Sequence, residues 1–165
     1  GLICFSGNRE GRDDEESIAV CAEGMKRASA FAEEKGINLN LELLNSRHSH
    51  PDYQCDHTEW GVKVVQAVDS PRAKLLYDIF HMQIMEGDLI HRIGEFIDYI
   101  GHFHTAGVPG RGPVWDPDQE INYPAVCRAI AATNYDLYIG HEFGFQCDPG
   151  EALQKAFTEC NVDQR

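Results

Sequence analysis

LLYDIFHMQ, residues Leu75 to Gln83, begins as a buried strand should, with Leu75, Leu76 and Tyr77 following the turn dipeptide Ser70-Pro71. Asp78, His81 and Gln83 then stand where an apolar run would normally continue. In a parallel α/β sheet, ligands sit at the carboxyl ends of the strands. The stretch therefore presents Asp78 as a candidate metal ligand, with His81 as a substrate contact beside it.

Strand and helix alternate on both sides of this stretch. Upstream, Leu2 to Phe5 is a short apolar strand that exits through Ser6-Gly7-Asn8. Asp13 to Glu16 suits a helix N-terminus. Ile18, Cys21, Met25, Ala28, Phe31 and Ala32 follow at helical spacing, and Gly36 closes that helix. Ile37 to Leu44 alternates and reads as a second strand. Arg47 to Asp56 has no apolar period and reads as a long loop with solvated histidines. Thr58 is placed to cap a short helix carrying Trp60, Val64, Val65 and Val68.

Downstream, Gly87 to Ile100 is amphipathic, with Leu89, Ile90, Ile93, Phe96 and Ile97 on one side. Ile100 to Thr105 is the fourth strand and leads into the glycine-rich loop AGVPGRGP. Asn122 and Pro124 open a helix with Val126, Cys127, Ile130 and Ala131 as its stripe, and Asn134 as its stop. Leu137 to Phe143 is the fifth strand, and Pro149-Gly150 opens the last helix. Repeated βα units of about 30 residues imply a parallel sheet with helical crossovers. No composition break divides the 165 residues, so residues 1–165 read as a single domain. A full barrel of eight such units needs about 250 residues; at this length a doubly wound sheet also suits five units.

The strand ends supply the chemistry. The second gives Glu42, the third Asp78 and His81, the fourth His102 and His104, and the fifth His141 and Glu142. Buried carboxylates are costly unless paired or bound to metal, so convergence of these groups on one edge points to a site. Three carboxylates and an imidazole make a hard site that suits Mn²⁺ or Mg²⁺, with Co²⁺ or Zn²⁺ also accommodated. Arg111, in the loop after the fourth strand, could grip a substrate carboxylate bidentately. Glu120 reads as a carboxylate near a helix N-terminus.

Composition bounds the partners. A formal charge of −13 opposes nucleic acid and anionic membranes, which need clustered Lys and Arg. No apolar run approaches the roughly 20 residues that span a bilayer. The six cysteines form no C-x-x-C pair, and reduced thiols in a cytoplasmic protein are expected.

The chain resembles the hydroxypyruvate isomerases, within the larger group of xylose-isomerase-like sugar isomerases and epimerases. ELLNS (42–46), YDIFHMQIMEGDL (77–89), IGHFHTAGVPGR (100–111), EINYP (120–124) and GHEF (140–143) carry the resemblance. It implies a TIM (β/α)8-barrel type with one divalent metal on Glu42, Asp78, His104 and Glu142. Glu42 and Glu142 would double as acid and base, and His81 and Arg111 would contact substrate. The implied reaction interconverts hydroxypyruvate and tartronate semialdehyde. His104 departs from that pattern, which often has Gln there, and matches the ketose 3-epimerases of the same group. A ketose 3-epimerase-like enzyme and a non-catalytic remnant that binds metal or a sugar acid are the alternatives. A nuclease of the same barrel type fits the charge poorly. The opening GLICFSGN corresponds to about the fourth strand of the family, so five C-terminal βα units are expected. This is a partial barrel with open edges that invite self-association, most simply as a dimer; a truncated reading frame or a fragment would leave the same chain.

Overall fold

The computed structural model describes residues 1–162. Its five strands are β1 (Leu2–Cys4), β2 (Leu39–Glu42), β3 (Ala73–Asp78), β4 (Ile100–Thr105) and β5 (Ile139–His141). They lie in sequence order, all parallel, and curl into half a barrel with helices outside. The helices are α1 (Asp14–Lys35), α2 (Thr58–Val68), α3 (Ile79–Met85), α4 (Leu89–Phe96), α5 (Tyr123–Ala131) and α6 (Pro149–Cys160). The expected βα rhythm is present, in the barrel form rather than the doubly wound one.

Helix α1 starts where the Asp13 carboxylate accepts a bond from the Glu16 N–H at 2.8 Å, and it stops at left-handed Gly36. Of the expected stripe, Met25 and Ala32 are buried, Ile18 and Cys21 pack against the core, and only Ala28 and Phe31 miss it. Ala22, Met25, Ser29 and Ala32 face the core, while Ala28 and Phe31 face outward. Ser29 can be buried because its hydroxyl donates to the Met25 carbonyl at 2.9 Å. That satisfied polar residue takes a core position that an apolar pattern does not mark.

The central stretch also differs from its sequence reading. The strand ends at Asp78, and Ile79 to Met85 is helix α3. Asp78 is the N-cap, and its side chain accepts from the His81 N–H at 3.2 Å. His81 therefore sits in a first helical turn, not on a strand. Gly87 to Ile100 likewise shortens to α4 followed by a 3-10 turn over Ile97–Tyr99, and Ile90 faces outward. Strand β5 is confined to three residues, and α5 ends at Ala131, before Asn134.

Thr58 is the first residue of α2 rather than its cap. Its N–H and hydroxyl both donate to the Glu86 carboxylate at 2.7 Å, so a residue from beyond α3 caps the helix. Arg92 closes on the same carboxylate, with Nε 2.8 Å from Glu86 Oε2.

Leu41, Leu75, Tyr77 and Phe103 are fully buried between sheet and helices. Tyr77 and Phe103, paired in register across β3 and β4, meet edge to face at 5.9 Å. Alternation then sends Glu42, Asp78 and His104 to the concave side. All six cysteines are free, and Cys55 and Cys127 are buried among apolar side chains. Among the described residues, no helix is long and apolar enough to cross a membrane.

Candidate metal centre

Register assembles the site. Asp78 pairs with His104 across β3 and β4, and His104 pairs with Gly140 across β4 and β5. Glu42 ends β2, and Glu142 lies just past β5, its N–H held by the Thr105 carbonyl at 3.0 Å. Gly140 leaves room for the imidazoles. A Cβ there would stand 3.0 Å from His102 Nε2 and 3.2 Å from His104 Cδ2.

Glu42, Asp78, His104 and Glu142 each offer one ligand atom, and these atoms all lie within 4.8 Å of one another. His104 Nδ1 is 2.8 Å from Glu142 Oε2, 3.5 Å from Glu42 Oε1 and 3.9 Å from Asp78 Oδ2. Yet this nitrogen is buried with no partner in hydrogen-bonding geometry. Buried polar atoms are rarely left so. Three converging carboxylates and an orphaned imidazole nitrogen fit a hard divalent cation. Ligands about 2.1 Å from one ion stand no more than about 4.2 Å apart, so a small contraction would close the set.

The electrostatics agree. Burial alone would lower the His104 pKa, but Glu42, Glu142 and Asp78 outweigh it and raise it above the ordinary value. Asp78 is fully buried, and that burial raises its pKa although Arg111 pulls the other way.

His81 is 2% exposed and lies beside these groups, not among them. Its Nδ1 accepts the Asn45 backbone N–H at 3.1 Å and faces the Asn45 side-chain Nδ2 at 2.6 Å. The Asn45 amide oxygen accepts from the N–H groups of His48 and Ser49, which fixes its orientation. The neutral ring therefore carries its proton on Nε2. Burial, then the Arg111 charge, lowers its pKa to about 3, so the ring stays neutral.

Arg111 reaches into the cluster. Nη2 donates to Asp78 Oδ2 at 2.9 Å and to Glu142 Oε2 at 2.6 Å. Its guanidinium stacks 4.8 Å over the Phe80 ring. A cavity of about 650 Å³ opens beside these groups, with Phe5, Glu42, His50, Phe80, His81 and Arg111 in its wall.

The other candidates fall outside. Gln83 donates to Glu120 at 3.2 Å at the surface. His141 Nδ1 pairs with the Thr105 hydroxyl at 2.7 Å, and His102 packs edge-on to His104. His48 and His50 are exposed, as expected for the loop, but both line the cavity. Sequence reasoning gives no role to Asn45 or Phe80. The alternation of Phe80 and His81 about the Asp78 cap was the available signal, had the strand been ended at Asp78.

The fold and the ligand geometry define half of a TIM-type barrel with a candidate metal centre at the carboxyl ends of its strands. Residues 1–158 match the xylose isomerase-like TIM barrel family, and the chain belongs to it. It is 31% identical over 144 residues to the hydroxypyruvate isomerase of Escherichia coli, covering 86% of this chain and 54% of that protein. It is 32% identical over 126 residues to a 2-oxo-tetronate isomerase of Cupriavidus necator, covering 76% and 47%. The solved structure of an AP endonuclease, family 2, from Brucella melitensis superimposes with a TM-score of 0.82 at 29% identity, covering 92% and 58%. The chain thus spans about half the length of the relatives it matches.

Proposed function

We propose that the chain carries the metal centre of an isomerase that interconverts hydroxypyruvate and tartronate semialdehyde through an enediolate. The observation that carries this is the convergence of Glu42, Asp78, His104 and Glu142 within 4.8 Å. Likeness to the E. coli and C. necator isomerases supports the substrate class, a small hydroxy-carbonyl acid. The net charge of −13 weighs against a nucleic-acid substrate.

In this reading Glu42, Asp78, His104 and Glu142 hold one divalent ion, Mn²⁺ or Mg²⁺. When bound, the ion supplies Lewis acidity that favours negative charge on the substrate oxygens. Arg111 binds the carboxylate through its planar fork. His81 offers its Nε2–H to a substrate oxygen, and Asn45 keeps that tautomer in place. Glu42 or Glu142 takes the proton from the carbinol carbon. Either glutamate then returns a proton to the neighbouring carbon, while the hydroxyl proton passes from the carbinol oxygen to the former carbonyl oxygen, leaving the aldehyde. Phe80 keeps the guanidinium level with the carboxylates.

Two further proposals concern context. Among the described residues the outer strand β1 is bonded only to β2, and Leu2 and Ile3 are exposed on it, with Phe5 exposed just beyond its end. Such an edge favours pairing, and a dimer is the simplest partner; a native mass showing only monomer at micromolar concentration would oppose it. Free thiols on every described cysteine fit a reducing compartment such as the cytoplasm.

The test is an isomerisation assay with hydroxypyruvate and added Mn²⁺ or Mg²⁺, run beside a metal-content measurement. Glu142→Gln should abolish most turnover. Full turnover in that variant with metal still bound would overturn the assignment. Metal without turnover in the wild type would leave a binding remnant.

A further inference from the structure

We propose that Arg111 is a built-in competitor for the metal position, and that ion binding releases its guanidinium to receive the substrate carboxylate. The ion therefore binds before the acid. This rests on the metal reading above.

The geometry carries it. Nη2 of Arg111 donates to Asp78 Oδ2 and Glu142 Oε2. These are two of the three carboxylate oxygens that lie nearest His104 Nδ1. Arg111 thus uses oxygens that an ion would need. The arginine offsets only one of the three formal negative charges of Glu42, Asp78 and Glu142, and a divalent ion offsets two. A lone pair that accepts from the guanidinium is not available to an ion, and two cations this close repel each other.

Among the described residues, the other groups against the guanidinium are the Phe80 face and the His81 ring. Its Nη1 lies 3.0 Å from His81 Nε2. The Asn45 N–H donates to Nδ1, so Nε2 carries the proton, and the contact sets donor against donor. Once displaced, Arg111 and the His81 Nε2–H both face the same cavity as free donors. Two donors side by side, one of them charged, match a carboxylate next to a carbonyl or hydroxyl oxygen.

The movement needs only the side chain. Gly107 and Gly112 exchange backbone bonds at 2.7 and 3.2 Å, and the Arg111 carbonyl accepts from Gly144 at 2.8 Å. The backbone is pinned at both ends of the loop. The side chain is 29% exposed and rests on the Phe80 face, a surface along which a planar group can slide. By linkage, a ligand that draws Arg111 away must strengthen ion binding by the same factor.

Mg²⁺, which is diamagnetic, allows a direct test by NMR of the Arg111 guanidinium protons in the wild-type chain, assigned with Arg111→Met. Calorimetry gives the Mg²⁺ affinity of both proteins. The expected result is loss of the carboxylate-bonded Nη signals on saturation. Arg111→Met should also bind Mg²⁺ on the order of tenfold to a hundredfold more tightly, the worth of releasing charged hydrogen bonds. Binding to Arg111→Met alone would also support the proposal. Saturating Mg²⁺ with unchanged Arg111 signals, or equal affinities, would overturn it and leave the metal reading standing. No Mg²⁺ binding by either protein would overturn both.

Discussion

Gly140→Ala places one methyl group against the metal centre. Its Cβ would stand 3.0 Å from His102 Nε2 and 3.2 Å from His104 Cδ2. Both contacts are tighter than ordinary van der Waals distance, so something must move by about a few tenths of an ångström. Two responses are open. The imidazoles can give, which shifts His104 directly. Alternatively β5 can give, since among the described residues it is bonded only to β4, and it then carries Glu142 with it. Either way one proposed ligand is displaced, while metal–ligand distances tolerate only about 0.2 Å. Losses of roughly tenfold to a hundredfold follow when the surroundings of a ligand are disturbed on this scale. The expected result is that much weaker Mn²⁺ binding by calorimetry, with thermal stability close to that of the wild type. Gly61→Ala is the control. Its Cβ would meet Leu75 Cδ2 at 2.8 Å and Cys55 Sγ at 3.1 Å, deep in the core. It should cost about 1–3 kcal/mol of stability and leave Mn²⁺ affinity unchanged. Wild-type Mn²⁺ affinity in Gly140→Ala would refute the reasoning, since it would mean that the added methyl displaces neither His104 nor Glu142 as a ligand.

Glu86→Ala removes the carboxylate that caps α2 through Thr58 and neutralises Arg92. The pair is partly buried and Arg92 keeps Glu59 at 2.6 Å, so losing the cap and this bond should cost about 1–3 kcal/mol, which urea unfolding should show. His81, lowered by burial and Arg111 from 6.5 to about 3, gives a signed pH effect. The unfolded chain takes up a proton as pH falls through about 6.5 while the folded chain does not, so stability is lost from there downward toward pH 3. His81→Gln should flatten that loss, and the wild-type ring should remain the Nε2–H tautomer by NMR at pH 5; a ring that titrates near 6.5 would contradict this.

Much of this arrangement was readable from particular residues. Leu75 to Tyr77 announced a buried strand, Gly36 a helix end and Asn122 a helix start, because each signal is local. Asp78, His104 and Glu142 were placed at strand ends by position alone, and parallel register then brings such ends together. The failures were of two physical kinds. Residues 79–83 were extended as strand because a buried helix turn and a buried strand are equally apolar; only the capping geometry of Asp78 separates them. The partners of Thr58, Ser29 and His81 were invisible because Glu86, the Met25 carbonyl and Asn45 meet them in three dimensions. Arg111 reads as a carboxylate grip from its loop position; that it also bonds Asp78 and Glu142, from a left-handed backbone at φ 56°, is a contact no spacing reveals.

The most direct test of the metal centre is a Mn²⁺ titration followed by electron paramagnetic resonance, on the wild type and on Asp78→Asn. Asn can still cap α3, so the variant removes the charge and keeps the turn. One ion per chain in the wild type, lost or weakened by an order of magnitude or more in Asp78→Asn, is the predicted result. Equal binding by the two proteins, or none by the wild type, would contradict the assignment of Glu42, Asp78, His104 and Glu142 as a metal site.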